Sequence, residues 1–231
     1  MNKPFRVLLS AATPFEIAPT LDWLRSAADG ARENVLLFPT VEVEVFFTGV
    51  GLPATAFALG RWIGTGGKAD LAIQAGIGGA IDRNLQLGEV VQIISECFGD
   101  VGAEERDGRW LSLGDIGLPP GGVFGQDECL KLPEGTGLTP FKSAEGISVS
   151  QVTGTEQSLM RLRTRWPTAQ VESMEGAAFF RACLEEGMVP VQIRSISNYV
   201  EARDRSRWEM ALAIRTLNDA LGKLIGGFIN R

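Results

Sequence analysis

The chain has 231 residues, of which 45% are hydrophobic and 22% are charged, as in an ordinary globular protein. Its formal net charge is −6 at pH 7, which argues against a nucleic-acid binder because such proteins carry a basic surface. The sequence contains no histidine. Histidine-based catalytic triads, metal sites and proton shuttles are therefore excluded, and any proton transfer must use carboxylates, lysine or tyrosine.

The three cysteines are Cys97, Cys129 and Cys183, and they form no CxxC pair. We interpret them as free, buried thiols of a reducing cytosol. Cysteines and carboxylates do not cluster at the spacing of a zinc site, so we expect no metal and no cofactor. The first apolar run ends at Thr13-Pro14, too early for a signal peptide, and no apolar stretch approaches the ~20 residues of a membrane span. We expect a cytoplasmic protein that binds neither membrane nor nucleic acid.

The first half of the chain alternates apolar strands with helices. FRVLLSAA predicts a strand, and a helix follows from about Phe15 to Ala28 with Pro14 at its start. Further strands are predicted at NVLLF, VEVEVFF, ADLAIQAGI and LGEVVQIISE, with a helix at LPATAFALGRWIG. The strand ADLAIQAGI is expected to end in a glycine turn at Gly76 to Gly79.

The second half begins with a segment rich in glycine, proline and charge, from Gly99 to Gly146. We expect loops there with little regular structure, at a subunit contact. Regular secondary structure is predicted again after this segment. The predicted elements are strand GISVSQV, a helix beginning at Thr155, strand QVES, a helix from Met174 to Glu186, strand VPVQIRSIS and a last helix from Ser206 to Ile229.

This pattern predicts a single α/β domain over residues 1–231. Strands alternating with helices favour a three-layer α/β/α sandwich with a mixed, largely parallel central sheet. In such sheets, binding sites lie at the carboxyl ends of the strands.

Four polar clusters lie at predicted strand ends. Glu16 follows the first strand, where a glutamate often only complements the helix dipole. The glycines at Gly76 to Gly79 either form a tight turn or let backbone N–H groups approach a ligand, and they lack the pattern of a dinucleotide fingerprint. Glu175 opens an apolar helix, where it is either structural or able to accept two hydrogen bonds from the adjacent hydroxyls of a ribose.

Arg194 and Asn198 end a strand that is otherwise apolar. The period of two along a strand places them on the same side, and a buried arginine needs a partner such as Glu175. Met174 offers a soft apolar surface to a sugar ring.

In this order and spacing, the four clusters resemble the nucleoside phosphorylase and nucleosidase superfamily over nearly the whole chain. In its methylthioadenosine/S-adenosylhomocysteine nucleosidase branch, the resemblance implies that Glu16 is catalytic. It also implies that Met174 and Glu175 hold the ribose, and that Arg194 to Asn198 match the Arg-x-x-Ser-Asp segment carrying the general acid. The glycine-turn residues implied to touch the nucleoside are Ile77, Gly78 and Gly79.

Two positions depart from the family pattern. The usual Glu-Met-Glu is here Ser173-Met174-Glu175, which displaces Glu172 by one position and leaves Ser173 beside the sugar. The catalytic Asp is replaced by Asn198. An adenine site needs an acceptor for the exocyclic amine, whereas a 6-oxopurine presents acceptors at O6 and N7, toward which an amide can donate. Trimeric purine nucleoside phosphorylases, which act on inosine and guanosine, likewise use an Asn, so the resemblance points to hypoxanthine or guanine as leaving group.

The nucleophile is predicted from the segment AATPFEI, which holds Glu16 in place of the phosphorylases' Gly-Asp-Pro and phosphate-holding arginines. A carboxylate there repels phosphate and orients water. The chain thus resembles the futalosine hydrolases of the alternative menaquinone pathway, which release hypoxanthine and dehypoxanthine futalosine from futalosine and water. The alternatives are an inosine/guanosine phosphorylase and a noncatalytic nucleoside-binding protein.

Some assignments rest on the resemblance alone. Gln157 and Ser158 stand at the family's base-binding position. The carboxylate on the 5′ tail of the substrate is expected to meet an arginine, and the sequence does not choose among Arg203, Arg205 and Arg207. The family is dimeric or higher, with a partner loop closing the site, and the Gly99 to Gly146 segment is our candidate for that loop.

Overall fold

Apolar strands and amphipathic helices alternate through the computed structural model, which describes residues 3–137 and 139–229. The strands, in chain order, are β1 (Phe5–Ala11), β2 (Gly30–Arg32), β3 (Val35–Leu37), β4 (Val41–Phe47), β5 (Leu71–Ala80), β6 (Val90–Phe98), β7 (Ala103–Glu104), β8 (Trp110–Leu111), β9 (Cys129–Lys131), β10 (Lys142–Ser148), β11 (Val171–Ser173) and β12 (Val189–Tyr199). The helices are α1 (Pro14–Ala27), α2 (Leu52–Gly64), α3 (Glu156–Arg165), α4 (Gly176–Glu185) and α5 (Met210–Ile229), and a 3₁₀ turn lies at Arg205–Arg207.

Ten of these strands form one mixed sheet, in the order β11-β10-β6-β12-β5-β1-β4-β3-β2, with β9 beside β6. The central pairs are parallel: in β1, Leu9 lies opposite Val45 of β4 on one side and Ile73 of β5 on the other. β12 runs parallel to β5 and antiparallel to β6. The α/β class with a mixed, largely parallel sheet is thereby confirmed.

One end of the sheet closes on itself. β11 pairs in parallel with β10 and also antiparallel with β5, so that β5, β12, β6, β10 and β11 form a ring. The sequence predicts β11 as a strand but contains no local signal for its second partner. The closure covers what would otherwise be a free strand edge beside the carboxyl end of β5.

Helices cover both faces of the sheet. On one face Ile17 and Leu21 of α1 and Leu217 of α5 pack against apolar side chains of β1, β4 and β5. On the other, Leu59 of α2 joins the phenylalanines of α4 in a second apolar cluster. None of the helices in residues 3–137 and 139–229 is long and apolar enough to cross a membrane.

Several predicted boundaries are wrong for identifiable reasons. Gly76 to Gly79 form the extended end of β5 rather than a turn, because β11 and β12 hydrogen-bond to them. The segment from Gly99 to Gly146 contains the short β7–β8 hairpin and the whole of β9. β9 was missed because it pairs with β6, which is distant in sequence. The last helix begins at Met210, after the separate 3₁₀ turn.

The cysteine prediction is also wrong for two of the three residues. Cys97 of β6 and Cys129 of β9 lie opposite each other in an antiparallel pair and are joined by a disulfide, with their Cα atoms 4.5 Å apart. Cys183 is free and buried in α4, and burial raises the pKa of its thiol. The disulfide fixes β9 to the sheet, and its spacing of 32 residues carried no recognisable motif.

Candidate active site

A cavity of about 290 Å³ lies at the carboxyl ends of β1, β5 and β12. These parallel strands deliver their following residues to the same edge of the sheet, as expected for this fold class. The cavity contains eight of the residues predicted from sequence: Glu16, Ile77, Gly78, Gly79, Ser173, Met174, Glu175 and Asn198. A larger, open groove of about 640 Å³, beside β9 and the end of α3, contains none of the predicted site residues.

Glu16 lies in the first turn of α1, where its carboxylate is held by Thr13 and Ile77. Its Oε2 accepts hydrogen bonds from the backbone N–H of Thr13 at 3.0 Å and from the Thr13 hydroxyl at 3.2 Å. Its Oε1 accepts from the N–H of Ile77 at 3.3 Å, so this backbone group binds the glutamate and is not free for a ligand. The helix-capping and catalytic interpretations of Glu16 are therefore compatible, because one carboxylate both caps α1 and lines the cavity.

Burial raises the pKa of Glu16, and Arg194 opposes this effect by lowering it. A carboxylate with a raised pKa is a better proton acceptor than an ordinary glutamate. Gly76 permits the packing beneath it, since a Cβ at this position would collide with the guanidinium of Arg194 and lie 3.0 Å from Glu16 Oε1.

Glu175 precedes α4 as its N-cap residue and is buried. Its Oε1 accepts a hydrogen bond from the N–H of Gly51 at 3.0 Å, where a φ of +95° suits glycine. Its Oε2 lies 3.8 Å from Arg194 Nη2, beyond hydrogen-bond distance but close enough for charge attraction. One carboxylate oxygen of Glu175 therefore retains capacity for a ligand hydroxyl.

Arg194 lies beneath the cavity, only 1% exposed. Two amides hold its guanidinium: Nη2 donates to Gln74 Oε1 at 2.7 Å and Nε donates to Gln192 Oε1 at 2.9 Å. The predicted partnership with Glu175 exists only as the longer ion pair. Arg194 thus supplies positive charge from below and does not form part of the cavity wall.

Asn198 reaches the cavity through a β-bulge in β12. Ile196 pairs with Gly78 and Asn198 with Gly79, which leaves Ser197 as the extra residue. Bulges re-aim side chains, and both Ser197 and Asn198 line the cavity. The alternation that predicted Arg194 and Asn198 on one side does not hold across this bulge. The Asn198 Oδ1 accepts from the Ser197 hydroxyl at 2.8 Å, and its Nδ2 donates one hydrogen to the Tyr199 carbonyl at 3.0 Å.

Gln157 and Ser158 lie outside the cavity. Ser158 is engaged at the start of α3, where its backbone N–H and hydroxyl both bond to Thr155. Gln157 is exposed on the same turn. The prediction that Gln157 and Ser158 contact the base is therefore wrong, and Val152 and Thr153 line the cavity in this part of the chain.

Further lining residues were not predicted from sequence: Ala12, Thr13, Phe15, Val50, Val152, Thr153, Glu172, Ser197, Trp208 and Met210. Of the three arginines proposed to bind the carboxylate on the 5′ tail of the substrate, Arg203 lines the cavity. Arg207 instead pairs with Glu201, its Nη1 lying 2.8 Å from Glu201 Oε1. The Thr-x-x-Glu spacing of Thr13 and Glu16 was the signal that could have identified the capping threonine.

A fully buried carboxyl supports the site from below. Glu96 accepts hydrogen bonds from the Ser148 hydroxyl at 3.0 Å and from Gln192 Nε2 at 2.9 Å, and Gln192 in turn holds Arg194. Burial raises the pKa of Glu96 to about 7, although Gln192 and Arg194 lower it. This buried network fixes the orientation of the arginine under the cavity.

α5 fixes the position of α1. Asn218 of α5 donates from Nδ2 to the backbone carbonyl of Glu16 at 2.9 Å. Its Oδ1 accepts from the N–H of Thr20 at 2.9 Å and from the Thr20 hydroxyl at 2.6 Å. The buried Asn218 therefore positions the turn of α1 that carries Glu16.

Comparison with known proteins identifies the family: the sequence profile of the Phosphorylase superfamily matches residues 6–230 of this chain. The chain belongs to this superfamily. Within it, the chain is 30% identical over 185 residues to the futalosine hydrolase of Thermus thermophilus, covering 77% of this chain and 79% of that protein. It is 35% identical over 161 residues to the futalosine hydrolase of Streptomyces coelicolor, covering 67% of this chain and 65% of that protein, just under two thirds of its length.

Solved structures agree on the phosphorylase superfamily fold. The native structure of futalosine hydrolase from Helicobacter pylori superimposes with a TM-score of 0.76 over 96% of this chain and 98% of that one, at 16% identity. At that identity the likeness is one of fold, and the chemistry must be argued from the residues of the cavity.

Proposed function

We propose that this protein hydrolyses the N-glycosidic bond of futalosine, releasing hypoxanthine and dehypoxanthine futalosine within the alternative menaquinone pathway. The observation that carries the proposal is the joint presence of Glu16 and Asn198 in one cavity that also holds Glu175. Sequence similarity to futalosine hydrolases supports the choice of substrate. We expect the protein to work in the cytoplasm, where a disulfide such as Cys97–Cys129 is rare.

The proposed chemistry begins with cleavage of the bond between the anomeric carbon and the purine. Positive charge develops on the sugar as an oxocarbenium ion, and the bonding electrons pass to the base. The free N–H of the Asn198 amide would stabilise the charge arriving at N7 and O6, and a positioned hydrogen bond of this kind contributes a few kcal/mol. Glu16 would accept a proton from water as the water oxygen bonds to the anomeric carbon, and it would then release that proton to solvent. The departing purine anion would take up a proton from solvent to give hypoxanthine. Glu175 would accept hydrogen bonds from the ribose hydroxyls.

The charges in the cavity favour water over phosphate as the nucleophile. Three carboxylates line it, namely Glu16, Glu172 and Glu175, whereas the one lining cation in the described residues is Arg203. A phosphate dianion beside the anomeric carbon would face the like charges of Glu16 and Glu175, and the buried Arg194 is occupied by two amides.

The 5′ tail of futalosine ends in a carboxylated aromatic ring, and the cavity suggests where it would bind. Arg203 and Trp208 both line the cavity, and the guanidinium carbon of Arg203 lies 5.7 Å from the Trp208 ring centre. Arg203 would bind the carboxylate, and Trp208 would pack against the aromatic ring.

We further propose that the protein forms a homodimer or higher homo-oligomer that closes the cavity. Phe15 and Val50 line the cavity and yet remain 67% and 58% exposed. Apolar side chains exposed at a ligand site are typical of a surface covered by another chain. The segment from Gly99 to Gly146 is our candidate for the covering loop.

To test the proposal, the protein is incubated with futalosine, inosine or methylthioadenosine, in the presence and absence of phosphate. The amounts of free base and of ribose 1-phosphate that form are then measured. Release of hypoxanthine from futalosine without phosphate supports the proposal. Phosphate-dependent formation of a sugar phosphate would identify a phosphorylase. Tight binding of futalosine without turnover would identify a binding protein.

A further inference from the structure

Glu172 holds a carboxylate oxygen for which the described residues offer no partner. The residue lies in β11, is 6% exposed and lines the cavity. Its Oε1 accepts a hydrogen bond from the N–H of Thr153 at 3.0 Å, whereas its Oε2 is buried with no hydrogen-bond partner in residues 3–137 and 139–229. An unpartnered buried carboxylate oxygen is costly, so a group that donates to it stabilises the protein.

The sheet places Glu172 opposite Asn198 across a single glycine. Gly79 pairs with Glu172 on one side and with Asn198 on the other. At Gly79, a Cβ would lie 3.2 Å from Asn198 Nδ2 and 2.9 Å from a Val200 methyl. A planar base lying over this glycine would therefore present one edge to the amide and another to the carboxylate.

The chemistry of the base decides which ligand satisfies both groups. A 6-oxopurine carries a hydrogen on N1, beside the O6 acceptor, whereas adenine has an unprotonated N1 acceptor at the same place. An ionised carboxylate accepts hydrogen bonds and donates none. It therefore matches N1–H of hypoxanthine and opposes N1 of adenine.

We propose that Glu172 Oε2 accepts the N1–H of the purine and makes Glu172 a specificity-determining residue for 6-oxopurines. The inference rests on the proposed function for the identity of the substrate, and it adds a second polar contact to the one assigned to Asn198. Glu175 would then be the residue that binds the ribose. The hydroxyl of Ser173 lies 3.3 Å from the hydroxyl of Ser148, within hydrogen-bond distance.

The test compares the wild-type protein with Glu172→Gln on futalosine and on its 6-amino counterpart, which carries adenine. A neutral amide accepts N1–H less strongly and can donate to N1 of adenine. We expect kcat/KM on futalosine to fall about 10- to 100-fold and the preference for futalosine over the adenine compound to shrink by more than that factor. The exposed Glu156→Gln is the matched control and should leave both values unchanged.

Binding of the free bases separates this inference from the proposed function. Hypoxanthine and adenine are titrated calorimetrically into both proteins, and Glu172→Asp serves as a second variant if Glu172→Gln does not fold. If wild-type protein binds hypoxanthine preferentially and the variants lose that preference, the role of Glu172 stands even if futalosine is not hydrolysed. An unchanged preference between the two bases in a folded Glu172 variant would overturn it, whether or not futalosine is turned over.

Discussion

The buried carboxyl of Glu96 makes stability depend on pH in a way that a single substitution should remove. The folded protein raises the pKa of this carboxyl from its ordinary 4.5 to about 7, mainly because burial disfavours the charged form. The folded state therefore binds the proton more tightly than the unfolded state. Stability is highest when the carboxyl is protonated, and it falls as the pH rises from about 4.5 to about 7.

The size of this effect follows from the difference between the two pKa values. At about 1.4 kcal/mol for each pH unit, the shift from 4.5 to about 7 corresponds to about 3 kcal/mol of unfolding free energy, as an order of magnitude. Glu96→Gln keeps the shape and an acceptor for Ser148 or Gln192 but has no proton to lose. The variant should exceed the wild type in stability by about 1 kcal/mol at pH 5 and about 3 kcal/mol at pH 8.

Urea denaturation of both proteins from pH 5 to pH 8 measures this difference. Burial also raises the pKa values of Glu16 and Glu172, so the wild-type curve alone contains several contributions of the same sign. The difference between wild type and variant isolates Glu96, and the exposed Glu104→Gln controls for loss of a carboxylate. If the difference in unfolding free energy between wild type and Glu96→Gln stayed constant from pH 5 to pH 8, the assigned role of Glu96 would be refuted.

The remaining predictions concern catalysis, base choice and the disulfide. Glu16→Gln should lower kcat on futalosine about 10²- to 10⁴-fold with little change in substrate affinity, while Asp22→Asn, at an exposed position of α1, should not; near-normal turnover would remove Glu16 from the mechanism. Asn198→Asp should reduce hypoxanthine release by about 10-fold or more, because a carboxylate repels O6 and N7; unchanged release would refute the assignment of the base contact. Reducing the Cys97–Cys129 disulfide should lower the unfolding free energy by about 3–4 kcal/mol, because it closes a loop spanning 32 residues. Equal urea midpoints with and without reductant would show that the bond contributes nothing.

Local sequence patterns predicted the elements that depend on nearest neighbours. The alternation of VEVEVFF produced β4 as expected, and Thr155 begins α3 as its N-cap. Glu16, Glu175 and Asn198 were placed correctly near strand ends, because in a parallel sheet the order along the chain fixes the edge at which residues meet. Arg194 was not, since it lies in the middle of β12.

The features that were missed depend on residues far apart in the chain. The bulge at Ser197 arises from pairing with β5 and shifts the side of the strand on which Asn198 lies. The disulfide depends on β9 folding back onto β6, and the double pairing of β11 depends on the curvature of the sheet. Glu172 was recognised only as a departure from the family pattern, since its unpartnered oxygen is visible only once the cavity is formed.

The hydrogen bonds of Asn218 make the position of Glu16 depend on α5. Asn218 and the Glu16 carbonyl that it holds are separated by 202 residues. The residues that line the cavity, from Ala12 to Met210, all precede Asn218 in the chain. A variant chain cut before α5 would therefore lack the side chain that holds the Glu16 carbonyl and Thr20 of α1 in position.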